Sequence, residues 1–321
     1  MTKVKNLKTL SVLIELPTWL GDSVMATPAI ENIINHFGEL KITLIGTNIS
    51  TEVLKNHPKV TKIIILNTKY NPFFKKNRQL GVFDFYFSFR SSLRSKFLKI
   101  LIKSNKKYQY DGSKYQNRHQ VEKYVDFIND SLDINYPSNN LIIYRKSSKI
   151  KKSSKLIGIN PGASYGSAKR WPPNEFAKVA FELSKKFDII IFGGANEVNS
   201  ANEIEKILIN KGINNFLNLA GKTSITELIN YISSLDILIT GDSGPMHIAA
   251  SLKIPTIAIF GPTNHLETSQ WMNSRSLIIK KNLDCQPCMK RTCPLKHNNC
   301  MKLIQAKEVI ECIPKVIPRN I

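Results

Sequence analysis

Short apolar runs rich in Ile, Leu, Val and Phe recur along the chain, separated by longer stretches whose apolar residues return every three or four positions. The first pattern suits buried strands and the second amphipathic helices. In the first half it predicts strands at Ser11–Glu15, Lys41–Ile45, Lys62–Leu66 and Phe83–Phe87. It predicts helices at Ala26–Phe37, Glu52–Lys55 and Leu93–Leu101 and, after a pause between Tyr108 and Tyr124, a further helix through Leu132. The polar stretch RKSSKIKKSSK at 145–155 reads as a linker or exposed loop.

A second series follows. Strands are expected at Leu156–Asn160, Asp188–Phe192, Phe216–Asn218, Ile237–Thr240 and Thr256–Phe260. Helices are expected at Pro173–Lys186, Asn199–Asn210, Ile225–Ser234 and Gly244–Leu252. Strands alternating with helices imply parallel sheets covered by helices. A length of 321 residues exceeds what one core usually supports. The expectation is an α/β protein of two Rossmann-like, doubly wound domains, 1–150 and 151–321, facing a central cleft. The last helix is a candidate to pack back on the N-terminal domain. No sequence repeat links the halves.

Composition changes this picture in one respect. Lys and Arg number 46 against 24 Asp and Glu, a formal charge of +22. Nucleic acid, an anionic membrane surface and phosphorylated substrates are all compatible partners. A compositional bias with solvated lysines is the alternative. No run approaches the roughly 18 apolar residues of a membrane helix. The apolar start is broken by Glu15 and leads into Pro17 without a small-residue cleavage site. The expected location is the cytoplasm.

Four segments carry candidate chemistry. GDSGPMHIAA (241–250) follows the apolar run LDILIT: Asp242 or Ser243 suits a helix cap, Pro245 the first turn, and Gly244 a close approach. A helix start at a strand's carboxyl end suits a diphosphate, or is simply a capped helix. Asp242 beside a diphosphate would need another partner, either sugar hydroxyls or a Lys. NPGASYGSAKRWP (160–172) brings Lys169 and Arg170 on a small-residue loop, either a phosphate clamp or an exposed turn, without Walker A spacing. LPTWLGDSVMATPAI (16–30) puts Gly21 and Asp22 in a loop after the first strand, where Asp22 either faces a ligand or caps its helix. Cys285, Cys288, Cys293 and Cys300, with His297 nearby, could bind one structural zinc or remain reduced structural thiols. His247, among apolar residues, reads alone as a satisfied buried histidine.

Together PTWLGDSVMATPA, PGASYGSAKRWP, GDSGPMHIAA and IFGPT (259–263) resemble, in order and over nearly the whole chain, glycosyltransferase family 9, the bacterial heptosyltransferases. DCQPCMKRTCPLKHNNCM and AKRWP are more similar to the second type of heptosyltransferase than to the first. The resemblance implies a GT-B fold, with the acceptor on the N-terminal domain and ADP-heptose on the C-terminal one. It implies Asp22 as catalytic base and Lys169 as the cation on the donor phosphates. It further implies donor contacts from Ser164, Glu197 (ribose), Thr223 (adenine), Asp242, Ser243, Gly244 and His247. Arg90, Arg94 and Arg118 are acceptor candidates in a more idiosyncratic stretch. The implied acceptor is phosphorylated lipid A–Kdo–heptose at the anionic inner membrane, with no nucleic acid partner and no obligatory cofactor or metal. The implied reaction is inverting transfer by a single displacement, with a base taking the hydroxyl proton as the bond forms. The rivals are a related transferase with another nucleotide sugar, a zinc-stabilised nucleic-acid-binding protein, and a membrane-bound scaffold.

Overall fold

The computed structural model describes residues 9–66, 81–145, 154–162 and 165–317. The chain divides into two compact units, Met1–Lys146 and Ser147–Ile321. Most of the basic linker stretch and Ser164 lie outside the described residues.

Among the described residues the first unit holds five parallel strands: β1 (Leu10–Glu15), β2 (Leu40–Gly46), β3 (Val60–Ile65), β4 (Phe83–Ser88) and β5 (Ser104–Gln109). Their order across the sheet is β3-β2-β1-β4-β5. The chain therefore reverses its direction of growth between β1 and β4. Val12, Leu13 and Ile14 of β1 are buried, as expected of the centre of a sheet covered on both faces. β5, which the sequence pattern leaves unassigned between the Leu93–Leu101 helix and the pause from Tyr108, is a polar edge strand, SNKKYQ. The Lys107 ammonium donates 2.9 Å to the Lys99 carbonyl, at the end of the Leu93–Leu101 helix.

A further difference lies beside β1. The segment read as a loop is a short helix, Leu20–Met25, running almost directly into the helix Thr27–Phe37. Asp22 is its third residue. Trp19, not Asp22, occupies the cap position, and no side chain caps that turn. Asp22 therefore does not cap the helix in the usual sense, although a carboxylate in a first turn still meets the positive dipole end.

Among the described residues the second unit carries six parallel strands: β6 (Leu156–Asn160), β7 (Asp188–Ile191), β8 (Phe216–Asn218), β9 (Ile237–Gly241), β10 (Thr256–Ile259) and β11 (Ser276–Ile279). Their order is β11-β10-β9-β6-β7-β8, the doubly wound arrangement, with its switch between β6 and β9. β11, a four-residue edge strand, was not anticipated.

Trp171 is fully buried in this unit's core, edge-on to Phe176, and its indole N–H donates 2.9 Å to the Ile304 carbonyl. The last helix, Ala306–Val316, sinks Val309, Ile313 and Val316 into the same core. Its apolar face is thus used within the second unit. None of the described helices is long and apolar enough to cross a membrane.

Candidate active-site surfaces

In a parallel sheet every strand ends on the same edge, so loops that follow successive strands gather there. In the second unit Lys169 follows β6, Glu197 follows β7, Thr223 follows β8, and Asp242 to Gly244 follow β9. Residues far apart in sequence thus share one edge, and the switch between β6 and β9 is where open α/β sheets take ligands.

The switch is lined by a polar network. Asn160, the last residue of β6, donates to the hydroxyls of Thr240 (2.9 Å) and Ser243 (3.0 Å). Ser243 is the residue before the helix Gly244–Ser251, but its hydroxyl does not cap that helix. It lies 3.0 Å from the Thr240 hydroxyl instead. The first turn of the helix thus has no side-chain cap. Such a turn presents N–H groups and a positive dipole end to an anion.

Lys169 closes a 3-10 turn, Ser167–Lys169, and its ammonium lies 2.7 Å from the Asp242 carboxylate. The Thr263 hydroxyl donates 2.7 Å to the same oxygen. Both charged side chains are nearly buried, at 11% and 7% exposure. Of the two partners considered for Asp242, the Lys is the one found. Lys169 also lies over the Tyr165 ring, 5.3 Å from its centre. Trp171 anchors the loop on one side. On the other, the Ala168 N–H donates 3.0 Å to the Arg291 carbonyl.

Glu197 is buried and accepts a hydrogen bond from the Gly194 N–H at 2.6 Å, so one carboxylate oxygen already holds the turn after β7. Thr223 is half-buried, immediately before Ser224, which caps the helix Ile225–Ser233. His247 is buried in the Gly244–Ser251 helix.

In the first unit the switch point between β1 and β4 is occupied by Glu15. Its carboxylate is buried and accepts from the hydroxyls of Tyr86 (2.7 Å), Ser88 (2.6 Å) and Ser95. Burial, and then the Glu15 charge, push the Tyr86 hydroxyl far above the usual phenol range. The Arg90 guanidinium lies 3.7 Å from the other Glu15 oxygen. Just outside is an open depression of about 280 Å³, lined in part by Trp19, Asp22, Arg90, Ser92, Gln120 and Tyr124. Tyr124 is held from below by Phe89 and Tyr110, with ring centres 5.3 and 5.0 Å away. Its hydroxyl is raised well above the usual range by burial and then by the negative charge of Asp22.

The three acceptor candidates separate. Arg90 lines the depression. Arg94 sits in the first turn of the Leu93–Leu101 helix. Arg118 is half-exposed and pairs with Glu122 (3.2 Å) and Asp126 (2.7 Å) on a helix flank. Sequence reasoning missed Asn160, Thr263, Tyr165, Gln120 and the role of Glu15. Polar residues closing otherwise apolar strands, Glu15 and Asn160, were the available signal.

The model of glycosyltransferase family 9 (heptosyltransferase) matches residues 83–299. A Campylobacter jejuni protein described as lipooligosaccharide heptosyltransferase 2 is 42% identical over 310 residues, covering 94% of this chain and 97% of the relative. The chain belongs to glycosyltransferase family 9. It is a glycosyltransferase with the family's GT-B fold. Escherichia coli ADP-heptose lipopolysaccharide heptosyltransferase II superposes with a TM-score of 0.81 at 20% identity, over 97% of this chain and 99% of that one. An E. coli heptosyltransferase solved with ADP superposes with a TM-score of 0.74 at 16% identity, over 96% and 100%.

Proposed function

We propose that this family 9 enzyme moves L-glycero-D-manno-heptose from ADP-heptose to a heptose of the lipooligosaccharide or lipopolysaccharide inner core. The observation that carries the reading is the Lys169–Asp242 pair beside an uncapped helix start at the β6/β9 switch. A buried cation beside the positive dipole end of a helix is complementary to a diphosphate, and charge grows on that diphosphate as the sugar departs. The identity to a lipooligosaccharide heptosyltransferase 2 and the fold shared with an ADP-bound heptosyltransferase support the donor.

In this reading the second unit binds ADP-heptose. Lys169, Ser243 and Gly244 attend the phosphates, and Ser164 is assigned there from the sequence resemblance alone. Glu197 reaches the ribose, Thr223 lines the adenine, and Asp242 and His247 lie toward the sugar. Asp242 also holds Lys169 in place until phosphate competes for it. The first unit binds the phosphorylated lipid acceptor, with Asp22 as base and Arg90 on the acceptor. Arg118, already paired twice, is the weakest acceptor candidate. The enzyme works at the cytoplasmic face of the inner membrane without an obligatory cofactor.

The deciding experiment incubates the purified protein with ADP-heptose and a core-truncated lipopolysaccharide and weighs the acceptor. A gain of one heptose with release of ADP supports the reading. No gain with ADP-heptose, but transfer from another nucleotide sugar, would replace the donor.

A further inference from the structure

The four clustered cysteines have no part in the reaction described above, yet the fold brings them together. Cys285, Cys288, Cys293 and Cys300 line one small enclosed cavity of about 20 Å³, together with His297 and Ala168. A space of that size holds a single water or ion, not an organic ligand. Its wall is otherwise almost wholly apolar. Among the described residues no group of three or more His, Cys, Asp or Glu is placed so that it could hold a metal ion, so binding would have to draw the four sulfurs inward.

We propose that Cys285, Cys288, Cys293 and Cys300 bind one zinc ion. Four sulfurs from one chain, two of them in a C-x2-C pair, are the donor set of a structural tetrahedral zinc site. Binding deprotonates the thiols, giving a centre of net charge −2. Lys290, Arg291 and Lys296, carried on the same loop, offset that charge.

The site has a structural reach beyond its own loop. Met289 accepts from the Tyr165 hydroxyl at 2.9 Å through its carbonyl, and the Arg291 guanidinium lies over the Tyr165 ring, 5.3 Å from its centre. The Arg291 carbonyl accepts from Ala168, next to Lys169. The metal would therefore hold the segment that presents Lys169. This second step rests on the donor site proposed above.

The test uses the full chain purified under reducing conditions. Elemental analysis should find one zinc per chain, and Co²⁺ exchanged into the site should give the absorption of tetrahedral thiolate coordination. Cys288→Ser with Cys293→Ser should lose the metal, whereas Cys312→Ser, which alters a cysteine outside the cavity, should keep it. Protein with four freely titratable thiols that takes up no Zn²⁺ would overturn the site, and so would one iron per chain in its place. If zinc is present but its removal by a chelator leaves both the melting temperature and ADP affinity unchanged, the anchoring role is overturned while the site stands. Failure of ADP binding in the zinc-loaded protein would count against the donor reading alone.

Discussion

The ammonium of Lys169 and the carboxylate of Asp242 lie 2.7 Å apart, from loops that follow the two strands at the switch of the second sheet. Removing one partner of a nearly buried pair costs more than the pair contributes, because the other charge is left behind. Lys169→Ala is therefore expected to weaken ADP binding by about 10- to 150-fold, the loss of one charge-assisted contact worth about 1.5–3 kcal/mol. It should also lower the melting temperature. Lys169→Ala combined with Asp242→Asn separates the two effects in calorimetry. Recovery of stability without recovery of ADP binding is the expected pattern, and recovery of both would make the pair purely structural.

Asp22 lines the depression of the first unit from within a helix, so replacing it should leave the fold intact. Asp22→Asn keeps the shape but cannot accept a proton. Turnover is expected to fall by about 10²- to 10⁴-fold, the usual loss of a general base. ADP affinity should change little, and stability by about 1 kcal/mol or less, the scale of a first-turn dipole interaction. A stable, ADP-binding variant with near-normal turnover would remove Asp22 from the chemistry.

Gly166 faces the cysteine-bearing loop at close quarters. A Cβ there would stand 2.3 Å from the Arg291 carbonyl oxygen, which belongs to the backbone and cannot rotate away. Gly166→Ala should push the two loops apart at a cost of about 1–3 kcal/mol. Thermal unfolding and ADP titration of the same variant should both report it. Unchanged values in both would mean that the loops are not held together in solution.

Glu15 accepts three hydroxyl hydrogen bonds through one buried oxygen. Glu15→Gln offers a neutral carbonyl to the same donors and an N–H₂ group to the Arg90 side. The expected loss is about 1–3 kcal/mol. That corresponds to a fall in melting temperature of roughly 2–12 °C. Because Arg90 is displaced as well, the acceptor Michaelis constant should rise. An unchanged melting temperature would show that the network contributes nothing.

If the acceptor is the anionic lipid proposed above, the charge of +22 should draw the enzyme to the bilayer that holds it. Each well-placed Lys or Arg near an anionic bilayer contributes about 1 kcal/mol, screened by salt. Co-sedimentation with vesicles containing anionic lipid should fall steeply between low and high salt. Equal binding to neutral vesicles at every salt concentration would reduce the charge to composition.

Both halves were legible as strand–helix series because parallel strands buried on two faces leave unbroken apolar runs. What escaped were elements without that signature. β5 is a charged edge strand, β11 has four residues, and Leu20–Met25 is too short to show a helical period. At the site, Lys169 and Asp242 were recognised separately from their segments, and Asp242 with a Lys was one of two options considered. Their pairing depends on two loops 73 positions apart meeting at a switch point, which no local pattern encodes. Thr263 and Tyr165 were invisible for the same reason. The four cysteines were conspicuous from spacing, but only the folded loop puts them around one cavity.

The two lysines of β5 have a consequence for how the protein behaves when concentrated. An edge strand offers a row of unpaired backbone groups to any second chain, and inserted charge is the usual defence against intermolecular pairing. Lys106 is exposed on that strand, and Lys107 is tethered to the neighbouring helix end. β8 and β11, with three and four residues, are too short to serve as templates. Replacing Lys106 with Val or Ile would leave the ladder intact and turn a guarded edge into an adhesive one, so this change should surface as aggregation on expression rather than as lost catalysis.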